Sequence, residues 1–372
     1  MTLRVVVAGG GTAGHIEPAM NMADALRARV DDVMIVALGT ARGLETRLVP
    51  ARGYRLWEIP AVPLPRKVNP DLFRVPVRLR RATDKAAEAI AGIDAVVGFG
   101  GYVALPAYLA ARRLKVPYVI HEANAKPGLA NRVGSRGAAA VAVNVPNAMP
   151  GAVRVGMPLR PAIATLDRAA QRPAARYTFG LQPDAPTLLV FGGSQGARRL
   201  NTALTQALPE LLAAGVQVLH AVGPANEALV AELTYRAKGG AYIGLPYIDD
   251  MAAAYAAADM ALTRAGAMTV AELTAVGLPS IYVPLPIGNG EQELNAAPVV
   301  AAGGGFLISD AALDGRRLLA TALPVLLDPV RRVNMGAAAS SFGIRDASDR
   351  LVDVVLKAAN YQAATPKNAE SS

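Results

Sequence analysis

Short, almost uninterrupted apolar runs alternate with amphipathic stretches along most of the chain. The first run, LRVVVAGG, ends in glycine and is followed at 18–29 by apolar residues on one helical face. Similar runs predict strands at 33–40, 94–101, 116–124, 138–145 and 152–158. Continuous apolar strands are typical of a parallel sheet covered on both faces, and their alternation with helices predicts a doubly wound α/β unit.

The same pattern begins again in the second half of the chain. PTLLVFGGSQGARRLNTAL, from Pro186, repeats the order of strand, glycine turn and helix. Further strands are predicted at 216–222, 242–243, 260–263, 279–283 and 305–308. Residues 160–186, rich in Pro, Ala and Arg, are interpreted as a linker between two Rossmann-like halves, and the polar last dozen residues are expected to be disordered.

Composition narrows the function classes. The 372 residues, 52% hydrophobic, contain no cysteine, which excludes disulfides, thiolate nucleophiles and cysteine-based metal sites. We expect no secretory signal before the first strand, and no apolar run approaches the roughly 18 residues of a membrane-spanning helix. A soluble or peripheral protein is therefore expected. The net charge of +9 favours anionic partners such as nucleic acid, an acidic membrane face or phosphorylated substrates, and the alternative is a basic surface without a particular partner.

The first glycine turn, GGGTAGHIEP, is open to several interpretations. It contains the dinucleotide spacing G-x-G-x-x-G at Gly9, Gly11 and Gly14, but His15 follows where a nucleoside-triphosphate loop needs lysine. A dinucleotide site also needs an acid at the end of the second strand, and no carboxylate occurs there before Glu45. Turns of this kind in both halves indicate two phosphorylated ligands, such as a nucleotide sugar and an acceptor. His15 is then either a general base or a structural histidine.

The second half carries another group of candidate residues, in YIDDMAAAYAAADMALTRAGAMTVAEL. Asp249 and Asp250 are typical of the N-cap of the alanine-rich helix that follows. Thr269 and Glu272 have the spacing of a capping box, and the alternative is that Glu272 accepts hydrogen bonds from two ribose hydroxyls. The loop PIGNGEQELNA offers Gln292 and Asn295, whose amides suit sugar hydroxyls, or it is a solvated loop.

Together, GGGTAGHIEP, GGSQGAR, the aspartate-to-glutamate segment above and GEQELNA closely resemble the MurG family of N-acetylglucosaminyltransferases, from Arg4 to about Ala358. The resemblance implies a GT-B fold, α/β, with two Rossmann-like doubly wound domains facing across a cleft. It implies an acceptor domain at 1–160, a UDP-GlcNAc domain at 161–340, a helix at about 341–359 that returns to the first domain, and a disordered tail at 360–372. The expected reaction is inverting transfer of GlcNAc from UDP-GlcNAc to the C4 hydroxyl of lipid I, giving lipid II for peptidoglycan.

The resemblance also assigns roles by position, with His15 as the candidate base and no metal or other cofactor. The expected contacts with UDP-GlcNAc are Thr12, Ala13, Gly14, Asn124, Arg160, Ser194, Ile248, Ala267, Met268, Thr269, Val270, Ala271, Glu272 and Gln292. Thr12 to Gly14 also lie near the acceptor diphosphate in this interpretation. Ser194 lies on the phosphates, Ile248 reads uracil through its backbone, and Glu272 binds the ribose. Ala13 stands where the family has glycine, so we expect an ordinary negative φ there. The role of Glu291, where the family often has glutamine, stays open, as does assistance to His15 from Glu17 or Glu122.

A lipid-linked acceptor requires contact with a bilayer, and PLPRKVNPDLFRVPVRLRRATDK at 63–85 suits an anionic membrane surface. It interleaves apolar and basic side chains, namely Leu64, Leu72, Phe73, Val77 and Leu79 with Arg66, Lys67, Arg74, Arg78, Arg80 and Arg81. YLAARRLK at 108–115 adds to this patch, and the expected location is the cytoplasmic face of the membrane. The alternative is an ordinary amphipathic helix that packs inward. Nucleic acid is disfavoured because stacking aromatics are not interleaved with the charges.

Two other functions stay open from the residues alone. One is an NAD(P)-dependent oxidoreductase that uses the first turn as a dinucleotide site. The other is a non-catalytic, membrane-bound sensor of nucleotide sugars.

Overall fold

The computed structural model describes residues 2–62, 74–193, 196–237, 241–287 and 289–362. The chain forms two compact units. The first contains the residues up to Pro158 and those from Asp346 onward, and the second contains Leu159–Arg345. Within the described residues, none of the helices is both long and apolar enough to cross a membrane.

The first unit is built on a seven-stranded parallel sheet in the order β3-β2-β1-β4-β5-β6-β7. Its strands are β1 (Leu3–Gly9), β2 (Val33–Gly39), β3 (Arg55–Glu58), β4 (Ala95–Gly100), β5 (Tyr118–Glu122), β6 (Ala140–Val143) and β7 (Val153–Arg154). Its helices are α1 (Ala13–Arg29), α2 (Glu45–Ala51), α3 (Val75–Ile90), α4 (Ala104–Leu114), α5 (Leu129–Gly134) and the C-terminal α15 (Ala347–Ala358).

Side chains of β1 alternate between two apolar layers, as the period of a strand requires. Val5 and Val7 belong to the layer that contains α1 and α15, whereas Val6 and Ala8 belong to the layer that contains α3 and α4. Both faces of the sheet are therefore covered, which explains why the strand is apolar throughout.

The second unit has a six-stranded parallel sheet in the order β10-β9-β8-β11-β12-β13. Its strands are β8 (Thr187–Phe191), β9 (Gln217–Ala221), β10 (Tyr242–Leu245), β11 (Met260–Thr263), β12 (Ser280–Tyr282) and β13 (Gly305–Leu307). Its helices are α6 (Pro161–Ala164), α7 (Arg168–Thr178), α8 (Arg198–Ala213), α9 (Ala228–Arg236), α10 (Met251–Ala257), α11 (Ala267–Ala275), α12 (Glu291–Ala301), α13 (Gly315–Leu326) and α14 (Pro329–Phe342). Both strand orders are of the doubly wound type that the sequence predicts.

Two sequence predictions about local structure are wrong. The first helix begins at Ala13 rather than near residue 18, because Thr12 has the extended backbone of an N-cap and Pro18 is accommodated inside the helix. The region 160–186 is not a linker, since it contains α6 and α7. The sequence also gave no indication of β3, whose residues are exposed or half-buried at the edge of the sheet.

An arginine cluster attaches α7 to the rest of the second unit. Arg176 is almost completely buried and pairs with Asp259 at 2.9 Å. It also donates hydrogen bonds to Thr187 and to the carbonyl oxygen of Ala257. Arg172, one turn earlier, binds both oxygens of Asp259 at 2.8 and 3.0 Å. Part of the region interpreted as a linker is therefore a helix that is attached to its unit by a buried arginine whose donors are all hydrogen-bonded.

Replacement of Arg176 by alanine would leave buried carbonyl groups without donors. We expect the free energy of unfolding of the second unit to fall by about 3 kcal/mol, measured by denaturant titration. Arg172→Ala is the matched control, because Arg172 shares Asp259 but is partly exposed, and we expect a loss of about 1 kcal/mol or less. Equal losses in the two variants would contradict the interpretation of Arg176 as the buried anchor.

Candidate active site

His15 lies where the strand order of the first sheet reverses, between the carboxyl ends of β1 and β4. This is the position at which doubly wound folds bind ligands. The imidazole lies close to the backbone at the end of β4. A Cβ at Gly100 would lie 3.2 Å from His15 Cδ2, and one at Gly101 would lie 3.3 Å from His15 Nδ1. Both glycines have positive φ, 92° and 79°, so the chain end of β4 is shaped to admit the ring.

The surroundings of His15 keep it in the neutral form. Burial lowers the pKa of His15 below its ordinary value of 6.5, and the negative charge of Glu122 and a hydrogen bond to the Gly10 backbone oppose this effect only in part. Nδ1 also lies 3.1 Å from Thr12 Oγ1. An imidazole that is neutral at pH 7, with a carboxylate near enough to stabilise the protonated form, has the properties of a general base.

Glu122 is buried at the end of β5 and organises the segment that follows. Its Oε1 accepts a hydrogen bond from the Asn124 amide at 2.9 Å. Its Oε2 accepts hydrogen bonds from the Gly128 amide at 3.0 Å and from Asn131 Nδ2 at 2.9 Å. Tyr108 in turn donates to Asn131 Oδ1 at 2.7 Å. The sequence-predicted Asn124 therefore belongs to the same hydrogen-bonded group as the carboxylate that acts on His15.

Glu17 has a different environment from Glu122. Its Oε2 pairs with Arg52 Nη2 at 2.9 Å, and the same guanidinium also pairs with Asp24 and binds Asn21 on the following turns of α1. The negative charge of Glu122 acts on His15, and Glu17 is held by Arg52.

The first turn of α1 presents backbone amides at its N-terminus. Within the described residues, the amides of Thr12, Ala13 and Gly14 donate no hydrogen bond, as is usual for the start of a helix. Ala13 does not have positive φ, in agreement with the expectation from the sequence. The Gly11 amide is different, because it donates to Glu45 Oε2 at 3.2 Å. Since Glu45 is completely buried, it cannot bind the ribose of a dinucleotide as the oxidoreductase interpretation needs.

In the second unit the equivalent position lies between the ends of β8 and β11. Ser194 lies outside the described residues. Gly196, with φ of 73°, begins the approach to α8, and a Cβ there would lie 2.2 Å from the Val222 carbonyl oxygen. Asn201 Nδ2 donates to that oxygen at 3.0 Å, and its Oδ1 lies 3.1 Å from His220 Nε2. Burial lowers the pKa of His220 to about 3, so the imidazole is neutral at pH 7.

The segment Ala267–Glu272 forms the first turns of α11, directly after the end of β11. The capping-box alternative for Thr269 and Glu272 is wrong, because the N-cap is Gly266 and Thr269 already lies inside the helix. Glu272 Oε2 instead accepts a hydrogen bond from Tyr255 of α10 at 2.8 Å. The positive charge of exposed Arg160 acts on the same tyrosine. The structure therefore brings the charge of Arg160 and the Glu272 carboxylate to the same tyrosine, and a cation and a carboxylate of this kind suit the phosphates and the ribose of a nucleoside diphosphate.

Four other positions considered in the sequence analysis lie in this unit. Ile248 is buried, and its backbone makes no hydrogen bond within the described part of the chain. Gln292 accepts a hydrogen bond from the Leu285 amide at 3.0 Å and so holds the loop before α12. Glu291 closes that loop by accepting from the Asn289 amide at 3.1 Å. Asp250, as predicted, caps α10 by accepting from the Ala253 amide.

The basic segment at 63–85 is described only from Arg74 onward, so Leu64, Arg66, Lys67, Leu72 and Phe73 lie outside the described residues. Val77 is exposed on α3, as a membrane-facing side chain would be. Leu79, however, packs inward against Val62, Val75 and Ala82. Arg80, Arg81, Arg112 and Lys115 are exposed on α3, α4 and the residue after it, and Arg113 pairs with Asp84. Both the membrane-facing and the inward-packing interpretations therefore describe part of this surface.

Several residues of the two sites were not identified from the sequence. Tyr102 is half-exposed, and its ring lies 3.3 Å from the position that a Cβ of Gly11 would take. In the sequence, Tyr102 was marked only by its position directly after the glycine pair at the end of β4. Tyr255 and Asn131 gave no signal, because their roles come from contacts between separate elements.

Family profiles match both units. The profile described as the glycosyltransferase family 28 N-terminal domain matches residues 5–143, and that of the C-terminal domain matches residues 187–351. The crystal structure of Acinetobacter baumannii MurG is similar with a TM-score of 0.79 and 30% identity, covering 95% of this chain and 99% of that one.

Curated relatives extend the similarity over nearly the whole chain. The UDP-N-acetylglucosamine–N-acetylmuramyl-(pentapeptide) pyrophosphoryl-undecaprenol N-acetylglucosamine transferase of Streptomyces avermitilis is 63% identical, covering 96% of this chain and 98% of its own. The protein of the same name from Streptomyces coelicolor is 62% identical over the same shares. These matches confirm the resemblance and the predicted GT-B fold class, and they give no support to the oxidoreductase or sensor alternatives. The chain belongs to the MurG family of glycosyltransferases.

Proposed function

We propose that this chain transfers N-acetylglucosamine, with inversion at C1, from UDP-GlcNAc to the C4 hydroxyl of the N-acetylmuramyl group in lipid I. The products are lipid II and UDP, in the synthesis of peptidoglycan. The observation that carries the proposal is His15, a neutral imidazole beside open backbone amides at the ligand-binding position of the first sheet. Support also comes from the name of the Streptomyces relatives, which describes transfer of N-acetylglucosamine from UDP-N-acetylglucosamine to N-acetylmuramyl-(pentapeptide) pyrophosphoryl-undecaprenol.

In the proposed reaction, His15 accepts the proton of the acceptor C4 hydroxyl as that oxygen attacks C1 of the donor sugar. The new bond joins the acceptor oxygen to C1, and the bond from C1 to the diphosphate oxygen breaks on the opposite face. The electron pair of the broken bond leaves with UDP, so a single displacement inverts the anomeric centre. Glu122 and the Gly10 backbone, which both favour the protonated imidazole, stabilise the charge that develops on His15.

The second unit is assigned to the donor. Glu272 accepts hydrogen bonds from the ribose hydroxyls, and the N-terminus of α11 with Arg160 meets the negative charge of the diphosphate. The backbone of Ile248 reads uracil, Ser194 binds phosphate, and Gln292 binds a hydroxyl of the sugar. The first unit is assigned to the acceptor, with Thr12 to Gly14 on its diphosphate and Asn124 near the donor sugar.

We also assign the exposed basic surface of α3 and α4 to an anionic membrane, at its cytoplasmic face. The acceptor carries a polyprenyl chain, so the enzyme must reach it at a bilayer. Arg80, Arg81 and exposed Val77 supply the charges and the apolar contact of a peripheral interaction.

The base is tested by His15→Ala and His15→Gln, assayed with radiolabelled UDP-GlcNAc and a lipid I analogue. Both variants lose the proton acceptor, so turnover should fall by about 100-fold or more, with UDP affinity unchanged. In the wild type, activity should be present above the pKa of His15, which lies below 6.5, and should be lost as the pH falls through it. A near-normal rate in either variant removes His15 from this role, and tight UDP binding without any wild-type transfer would support the sensor instead.

The ribose contact is tested by calorimetry with UDP and 2′-deoxy-UDP. Glu272→Ala should weaken UDP binding by about 10-fold, because a hydrogen bond to a charged acceptor is lost, and should remove the discrimination against the deoxy ligand. Glu210→Ala, an exposed glutamate on α8, is the control and should bind both ligands as the wild type does. A lower melting temperature with unchanged discrimination would show that Glu272 is only structural.

Membrane attachment is tested by sedimentation with vesicles that contain anionic lipid. The double replacement Arg80→Gln and Arg81→Gln should weaken binding by about 2 kcal/mol, or roughly 30-fold, and added salt should abolish the difference. The pair Arg316→Gln and Arg317→Gln, also exposed on one helix but in the second unit, should bind normally. Equal binding by both double variants would exclude the surface of α3 as the attachment site.

A further inference from the structure

Glu45 is a fully buried carboxylate that joins two neighbouring turns of the first unit. Its Oε1 accepts hydrogen bonds from the amide and the hydroxyl of Thr40, each at 2.8 Å, at the end of β2. Its Oε2 accepts the Gly11 amide at 3.2 Å, in the turn after β1. Because β1 and β2 are parallel neighbours, their turns lie side by side, and one carboxylate spans both.

Three glycines line the space that the Glu45 carboxylate occupies. A Cβ at Gly43 would lie 1.8 Å from Glu45 Oε2, and one at Gly39 would lie 2.5 Å from Glu45 Cγ. A Cβ at Gly10 would approach Oε1 to 3.1 Å. Burial acts to raise the pKa of Glu45, but the hydrogen bonds from its own amide, from Thr40 and from Gly11 outweigh it and leave the pKa below the ordinary value.

The Gly11 amide belongs to the same peptide group as the Gly10 carbonyl. In a trans peptide the N–H and the C=O point in opposite directions. Glu45 holds the N–H, so the Gly10 carbonyl points away from Glu45. The carbonyl oxygen and the imidazole both lie next to Gly101, since a Cβ there would be 2.2 Å from the Gly10 oxygen and 3.3 Å from His15 Nδ1. The Gly10 backbone also acts to raise the pKa of His15. Since both flanking residues are glycine and Gly11 has φ of 90°, little in the local chain prevents this peptide from rotating.

We propose that Glu45 is a positioning residue that acts on His15 through the Gly10–Gly11 peptide. The carboxylate fixes the orientation of the peptide plane, and the plane presents the Gly10 carbonyl to the imidazole. His15 thus has two supports: Glu122 from β5 acts by charge, and Glu45 from α2 acts through one peptide group. This inference rests on the proposed role of His15 as the base.

The test is Glu45→Gln, which keeps the size of the side chain. A glutamine has only one acceptor oxygen, so it cannot accept from both Thr40 and Gly11, and the peptide loses its anchor. We expect kcat to fall by about 10-fold with the Kd for UDP unchanged. We also expect the pKa of His15, measured by NMR titration of the imidazole, to fall, because the Gly10 hydrogen bond raises it; the acid limb of the rate profile should move to lower pH with it.

Two further variants keep the test decisive. Thr40→Val removes one donor to Glu45 without touching the glycine turn, and it should shift the pKa of His15 in the same direction by a smaller amount, which serves if Glu45→Gln does not fold. Asp94→Asn is the matched control, because Asp94 accepts the Arg4 amide at the opposite end of β1, and it should leave kcat and the His15 pKa unchanged.

An unchanged His15 pKa in folded Glu45→Gln, or in folded Thr40→Val where Glu45→Gln does not fold, would overturn the proposal, even if stability falls. An equal shift in Asp94→Asn would also overturn it, because the effect would then be general to the unit. The NMR titration needs no substrate, so it reports on Glu45 even if the transfer assay shows that His15 is not the base. A wild-type protein that transfers no sugar refutes the proposed function and leaves the pKa comparison intact.

Discussion

A parallel sheet whose strand order reverses leaves a crevice at the carboxyl ends of the two strands where the reversal occurs, and both units of this chain depend on that constraint. In the first unit the crevice lies between β1 and β4 and receives His15. In the second it lies between β8 and β11, where the N-terminus of α11 begins. One architectural rule therefore supplies two sites: His15 and the free amides at the start of α1 lie at the first, and the N-terminus of α11 lies at the second.

The polar groups that support these sites are oriented by the need to match each buried donor with an acceptor. Asn201 donates its amide to Val222, so its oxygen must accept from His220 Nε2, and Nδ1 of the same ring can then accept from the Tyr242 hydroxyl. One tautomer alone satisfies all three contacts. Glu122 and Glu45 follow the same logic with backbone amides, because buried carboxylates are stable where several donors converge on them.

Much of the fold and part of the site could be predicted from the sequence. The apolar runs place the long buried strands within a residue or two, because both faces of these sheets are covered. Predictions from the apolar and polar pattern failed where a residue lies in an environment that is unusual for its type. The strand β3 is partly polar and lies at a sheet edge, and Arg176 is charged but buried. Glu272 has capping spacing three residues too late in its helix. Tyr255, Asn131 and Glu45 act through contacts between separate elements, which no local pattern contains.

The bare backbone beneath His15 has a consequence for inhibition. A side chain at Gly101 would collide with the Gly10 carbonyl oxygen, since even its first carbon would lie 2.2 Å away, and the positive φ adds strain for any other residue. A compound that stacks on the backbone of Gly101 next to the imidazole would therefore contact a surface to which a mutation cannot readily add a side chain. Resistance through steric exclusion at that point would damage the enzyme that it is meant to protect.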